Sequence, residues 1–167
     1  MSAAAEPAST ASARVNLVIA TPCFGGQISI LYAASIFKLQ TLVRELNKLY
    51  HTSPPMYQVD FHYSGFEWVD FHDWENSIIS FIRHSETPGD FLLFCCNFTP
   101  VPRQGYEFGV PEEGFYEEVL NTDAEIFGGS NMGNGGSLSS NPIPRHNRPY
   151  SISVSLPPLS VVAFRKR

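Results

Sequence analysis

RPYSISVSLPPLSVVAFR, residues 148–165, is the stretch on which the fold turns. Ile152, Val154 and Leu156 alternate with Ser151, Ser153 and Ser155, the two-residue period of a strand with one face on a core and one face wet. Pro157 and Pro158 interrupt the run, and LSVVAFR (159–165) supplies a second one. Toward the N-terminus the same texture continues as FYEEVL (115–120), YEFGV (106–110), DFLLFCCNF (90–98), SIISFIR (77–83) and FEWV (66–69), each bounded by turn residues. DFLLFCCNF is apolar nearly throughout and is expected at the centre of a sheet. Strands this short and closely spaced predict a mainly β chain, an antiparallel β-sandwich whose two sheets enclose one core.

With 43% hydrophobic residues in 167, the chain suffices for one such core. Its 13% aromatic content, 13 prolines and 12 glycines suit strands and turns better than a helical bundle. A formal charge of −5 with 11 Lys plus Arg leaves no basic footprint for a phosphate backbone, so nucleic acid is not an expected partner. Cys23, Cys95 and Cys96 have no paired metal-ligand spacing and read as reduced core residues of a cytoplasmic protein. No apolar run approaches the roughly 18 residues of a membrane-spanning helix. MSAAAEPASTASAR (1–14) lacks the basic start and apolar centre of a secretory signal and is expected to be a disordered tail.

Residues 15–53 read as strand, turn and helix. VNLVIA (15–20) is a β-branched run that stops at TPCFGGQ, and apolar residues then recur from Ile28, Leu31 and Tyr32 through Leu49 and Tyr50 at the spacing of one helical face. Pro54 and Pro55 must end that helix, because proline lacks an amide hydrogen and restricts the preceding residue. A link over 54–63 then leads to an all-β domain at 64–167.

GFYEEVLNTDAEIFGGSNMGNGG (114–136) sets an aromatic-edged strand, a polar turn and a glycine-rich loop in an order that composition alone would not produce. Together with GFEWVD (65–70), ENSIISFIR (75–83), CNFTPVPR (96–103) and RPYSISVSLPPL (148–159), it resembles the C-terminal end of glycogen (1,4-α-glucan) branching enzymes, over about residues 41–167. LVRELNKLYHTSPPMYQVDF (42–61) is similar to the junction where the last barrel helix of that family enters its C-terminal all-β domain. Residues 15–40 instead resemble, over a short stretch, the start of nucleotide-sugar glycosyltransferases. The main resemblance implies an α-amylase-type C-terminal domain, a place in glycogen biosynthesis, and transfer of an α-1,4-glucan segment to a 6-hydroxyl by the intact family.

That chemistry implies a (β/α)₈ barrel carrying an Asp nucleophile, a Glu acid/base and a further Asp. Retention needs the two reacting carboxyls about 5–5.5 Å apart on a rigid scaffold, and a barrel takes roughly 200–250 residues. The segments that carry those carboxylates have no counterpart here, so no catalytic residue is carried over and this chain alone is expected to be inactive. Asp70, Asp73 and Glu75, with His72 between them, read as a polar turn, and Asn121, Thr122 and Asp123 as another. The five histidines show no compact ligand spacing, so no metal is expected. TPCFGGQ lacks a phosphate-loop pattern and no D-x-D occurs, so no cofactor is expected either.

Sugars present flat apolar faces edged by hydroxyls, which makes exposed aromatics beside polar groups natural platforms. Trp74, Trp68, Tyr106 and Tyr116 are the carbohydrate-contact candidates, Trp74 foremost because HDWEN is a polar turn. Asn131 and Asn134, in FGGSNMGNGG (127–136), are loop candidates for lining a glucan path. The leading expectation is the accessory C-terminal domain, or a fragment, of a branching enzyme. A stand-alone glucan-binding module and a glycosyltransferase remnant are the alternatives. Without a barrel to meet, the apolar face of the helix at 28–50 must cover the sandwich, self-associate or stay exposed.

Overall fold

The computed structural model describes residues 26–167, with side chains of the first helix described from Ser35 onward. The expected tail at 1–14, the strand at 15–20, Cys23 and most of the TPCFGGQ turn lie outside the described residues. Helix α1 (Gly26–Thr52) runs unbroken through the predicted segment. It ends where expected: Pro54–Met56 forms a 3-10 turn, and Thr52 Oγ1 donates back to the Lys48 carbonyl at 2.8 Å. A second 3-10 turn, Tyr63–Gly65, closes the link. Gly65 is required there, since a Cβ would stand 1.9 Å from the Val59 carbonyl oxygen.

Eight strands come next: β1 (Phe66–Asp70), β2 (Ile78–His84), β3 (Phe91–Asn97), β4 (Arg103–Val110), β5 (Phe115–Asn121), β6 (Ser137–Ser139), β7 (Tyr150–Leu156) and β8 (Ser160–Lys166). Every run predicted from residue 66 onward is a strand, and among the described residues only the three-residue β6 falls outside the predicted runs. Six of them form one antiparallel sheet in the order β1-β2-β3-β8-β5-β6, while β4 pairs with β7 in a two-stranded sheet packed across it. β3 is central and buried along its whole length, as its sequence required.

Alternation along the strands sorts the apolar residues onto two faces of the large sheet. Ile78, Ile82, Phe91, Leu93, Cys95, Tyr116, Val162 and Phe164 point inward and meet Phe108, Val110, Ile152, Val154 and Leu156 from the small sheet. Leu92, Phe94 and Ala163 point outward and form a second cluster with Leu120. Tyr116 and Leu120 would share a face in a regular strand. A bulge between Glu118 and Leu120 adds one residue, so the pairing jumps from Glu118↔Phe164 to Leu120↔Ala163 and β5 serves both clusters.

β7 departs in one respect from its predicted wet face. Only Ser153 is exposed; Ser151 is buried and Ser155 half-buried. The segment around β6 covers them, with Asn141 bridging Ser151 through the backbone and Asn134 bonded to Ser155. Pattern along one strand does not reveal a long connection lying over it.

α1 leans on the outer face through Leu49, with Met56 beside it, against Leu92, Phe94, Leu120 and Ala163. The helix turns a mixed stripe inward. Leu42, Glu45 and Leu49 are half-buried, whereas Ile36, Leu39, Val43, Leu46 and Tyr50 are exposed. At 3.6 residues per turn the exposed apolar set lies roughly 100° around the helix from the inward stripe.

Candidate functional site

Three surfaces carry the candidate residues. The first is the turn between β1 and β2. Asp73 accepts from the Asn76 amide at 3.1 Å, from Asn76 Nδ2 at 2.9 Å and from the Tyr106 hydroxyl at 2.5 Å. Burial alone would raise the Asp73 carboxyl, but these donors outweigh it and hold the group below its ordinary value. Burial and the Asp73 carboxylate push the Tyr106 phenol well up, so it stays a proton donor to Asp73. Tyr106 therefore locks β4 to this turn and is half-buried rather than a free platform. Trp74 sits at the tip of the same turn, 79% exposed. The Asp70 carboxylate accepts from the His72 amide at 3.0 Å, in keeping with a polar turn.

The second surface is the loop after β5. Asp123 accepts from the Ser130 amide, the Ser130 hydroxyl and the Met132 amide at 3.0, 2.6 and 3.1 Å. Burial opposes these bonds, yet together they hold the carboxyl low. Asn134 donates to Glu118 at 2.7 Å and to the Ser155 carbonyl at 3.2 Å, and accepts from the Ser155 amide at 2.7 Å. It joins β5 to β7, and its side chain is spent on that task. Asn131, with φ of 62°, accepts from the Glu125 amide at 3.3 Å and remains exposed.

Tyr116, expected as a carbohydrate contact, is instead a core residue. It is wholly enclosed, with its hydroxyl donating to the Glu112 carbonyl at 2.7 Å, so no ring face is open to a ligand. Its place on the inward side of β5 is a matter of register, which FYEEVL alone leaves undetermined.

The third surface is the outer face at the β1 edge. Trp68, 46% exposed, lies edge-to-face with Phe66 and Phe81, at ring separations of 4.9 and 6.0 Å. Phe81 stacks on Phe94 at 5.0 Å, so an aromatic row runs from the open edge into the outer cluster. Beside Trp68 a cleft of about 400 Å³ opens, in which Phe71, Asn147 and Arg148 also take part. Asn147 and Arg148 escape sequence reasoning because the hairpin at 145–148 is far along the chain from β1, and Phe71 because the run DFHDW does not show which of its turn residues border a cleft. The left-handed pair His146 and Asn147, at φ of 48° and 59°, makes that hairpin tight enough to reach it.

None of the described residues offers a catalytic carboxylate pair on a barrel scaffold. Among the described residues no group of three or more His, Cys, Asp or Glu is placed to hold a metal ion. Cys95 and Cys96 are free and buried; burial raises the Cys95 thiol well above its ordinary value and pushes Cys96 up to about 11, which leaves both unreactive.

Residues 68–167 match the family described as alpha amylase, C-terminal all-beta domain. The chain is 49% identical over 127 residues to the 1,4-alpha-glucan branching enzyme GlgB of Aquifex aeolicus (strain VF5), a match covering 76% of this chain and 20% of that protein. It is 53% identical over 129 residues to GlgB of Hydrogenovibrio crunogenus, covering 77% and 18%. With GlgB of Saccharophagus degradans it is 47% identical over 139 residues, covering 83% and 18%. The chain thus spans about a fifth of the length of the curated relatives it matches. The six-plus-two antiparallel sandwich and this sequence match agree, and the chain belongs to the alpha amylase C-terminal all-beta domain family, in the form found in 1,4-alpha-glucan branching enzymes.

Proposed function

We propose that this chain acts as the C-terminal accessory module of a 1,4-α-glucan branching enzyme, working in the cytoplasm in glycogen biosynthesis. Its role is to support a catalytic barrel that transfers an α-1,4-glucan segment to a 6-hydroxyl. The observation that carries the reading is α1. Ile36, Leu39, Val43, Leu46 and Tyr50 face solvent although an outer sheet face lies beside them. A surface helix normally turns such a stripe inward, and a continuous exposed patch marks a surface that another body covers. The resemblance of residues 42–61 to a barrel-to-sandwich junction makes the barrel that body. The reduced state expected of the buried thiols supports a cytoplasmic setting.

The test supplies the barrel in trans. A branching enzyme lacking the matching C-terminal segment is mixed with this chain and amylose, and α-1,6 linkages are counted after debranching. Branching should rise above that of the shortened enzyme, and the chain alone should form none. No gain with a well-folded mixture would overturn the module reading, and branching by the chain alone would overturn its inactivity.

A further inference from the structure

The geometry points to a binding site for a small oxyanion, a phosphate monoester or a carboxylate, in the pocket beside β4, where the Arg103 guanidinium is the anchoring group. The site is independent of barrel docking, because β4 belongs to the small sheet, across the sandwich from the outer face on which α1 lies.

Arg103 is the exception among the half-buried arginines. Arg83, Arg148 and Arg165 each meet a carboxylate, that of Asp60, Glu67 and Asp90, at 2.7, 2.7 and 3.7 Å. Among the described residues the Arg103 guanidinium forms no ion pair and no hydrogen bond, and its Nε is cut off from solvent without an acceptor. A guanidinium drawn partly out of water loses hydration that only an acceptor restores. The nearby carboxylates do not supply one. Asp73 is near enough for the two charges to act on each other, but its oxygens are taken by Tyr106 and Asn76. Glu107 is held by Arg145.

The pocket that Arg103 lines has a volume of about 610 Å³, within the range of small-ligand sites. Gln104 and Arg145 line it as well. The only partner of Gln104 Nε2 is the Met132 sulfur at 3.6 Å, which leaves an N–H for an incoming oxygen. Arg145 turns its Nε and one Nη to Glu107, leaving the other Nη unbonded. Strand pairing passes from Arg103↔Leu156 to Tyr106↔Val154, so Gln104 and Gly105 oppose a single residue, and Gly105 takes a φ of 66°. Such a bulge bends the strand and re-aims the side chains beside it. The guanidinium fork matches the oxygens of phosphate or carboxylate with two parallel N–H bonds. With Arg145 neutralised by Glu107, one open positive charge suits a single oxyanion group rather than a polyphosphate backbone.

The test titrates the full nitrogen-15-labelled chain with inorganic phosphate and, separately, with acetate at constant ionic strength. NMR spectra follow the Arg103 Nε–H and the amides of Asn76, Gly105 and Tyr106. At least one anion should shift these resonances to saturation, and the tighter arm identifies phosphate monoesters or carboxylates as the ligand class. Uncharged glucose should leave them in place. Arg103→Met should weaken binding at least about tenfold, with the melting temperature nearly unchanged because the guanidinium has no protein partner to lose. Arg103→Lys keeps the charge without the fork and should retain only part of the affinity. Arg44→Gln, which removes an exposed positive charge on α1, should bind as the wild type does. Resonances unmoved by both anions at tens of millimolar would overturn the site, as would undiminished binding by Arg103→Met or equal shifts with glucose. An equal loss in Arg44→Gln would overturn it too, since the binding would then follow net charge. If Arg103→Met fails to fold, Arg103→Lys decides: undiminished affinity in that variant would overturn the paired-bond site.

Discussion

Asn134 shows what a single side chain can settle. Its amide bonds Glu118 on β5 and both backbone groups of Ser155 on β7, so it is a bracket between the two sheets and has no capacity left for a sugar. Asn134→Ala should cost about 1–3 kcal/mol, because it strands a half-buried carboxylate and leaves Ser155 unpaired. Urea unfolding would read that loss. His146 belongs to the same scale. Its Nδ1 accepts from the Gly109 amide at 3.1 Å, which requires an unprotonated nitrogen there. Burial is the main cause of its lowered pKa; Arg145 and Arg148 add to it, while Asp70 and Asp73 oppose it. The folded value lies below the unfolded one. The stabilisation is therefore complete above about pH 6.5 and is lost as the pH falls from there toward the folded pKa. Stability measured at steps between pH 7.5 and 5 should fall more steeply in the wild type than in His146→Asn, a residue that tolerates the left-handed backbone. Equal slopes would mean that the Gly109 contact contributes nothing.

Helix α1 is the element whose behaviour departs most from a simple amphipathic rule. The periodicity predicts its length and its end at Pro54, yet the apolar side is not the side that packs. Spacing fixes which residues share a face, but it does not say which neighbour that face meets. Replacing Leu39, Val43 and Leu46 by Lys should leave the melting temperature of the isolated chain nearly unchanged, because exposed positions contribute little to folding. The same variant should bind less of a hydrophobic dye and scatter less light, and it should fail to restore branching to a shortened enzyme. A large drop in melting temperature would place the stripe in the chain's own core. β5 teaches a related lesson. FYEEVL is legible as a strand, but the bulge after Glu118 decides that Tyr116 enters the inner core while Leu120 joins the outer cluster. Tyr116→Ala should accordingly cost about 3–5 kcal/mol as a core truncation, read as a lowered denaturation midpoint.

At the scale of the molecule, one sheet of six strands separates two apolar surfaces. The inner one is closed by β4 and β7, and the outer one only partly by α1. A stable inner core beside an incompletely covered outer face is the arrangement expected of a module that folds by itself and docks on something else. The purified chain should therefore unfold cooperatively in calorimetry while still showing the dye binding of an open face. A gradual, non-cooperative melt would show that the sandwich needs a partner surface in order to fold.

Seven of the eight described strands, the helix and its stop, and the family are legible in the order of the residues. Each is written in local periodicity, in proline and glycine punctuation, or in blocks such as GFYEEVLNTDAEIFGGS that need no third dimension to be matched. Long-range packing alone settles which aromatic rings stay open to solvent and which are core. Tyr116 and Trp68 look alike in the sequence, but strand register and a bulge bury the first. A left-handed hairpin brings Asn147 and Arg148 from a distant part of the chain to the second. Burial and convergence are properties of long-range packing, and no short window of residues contains them.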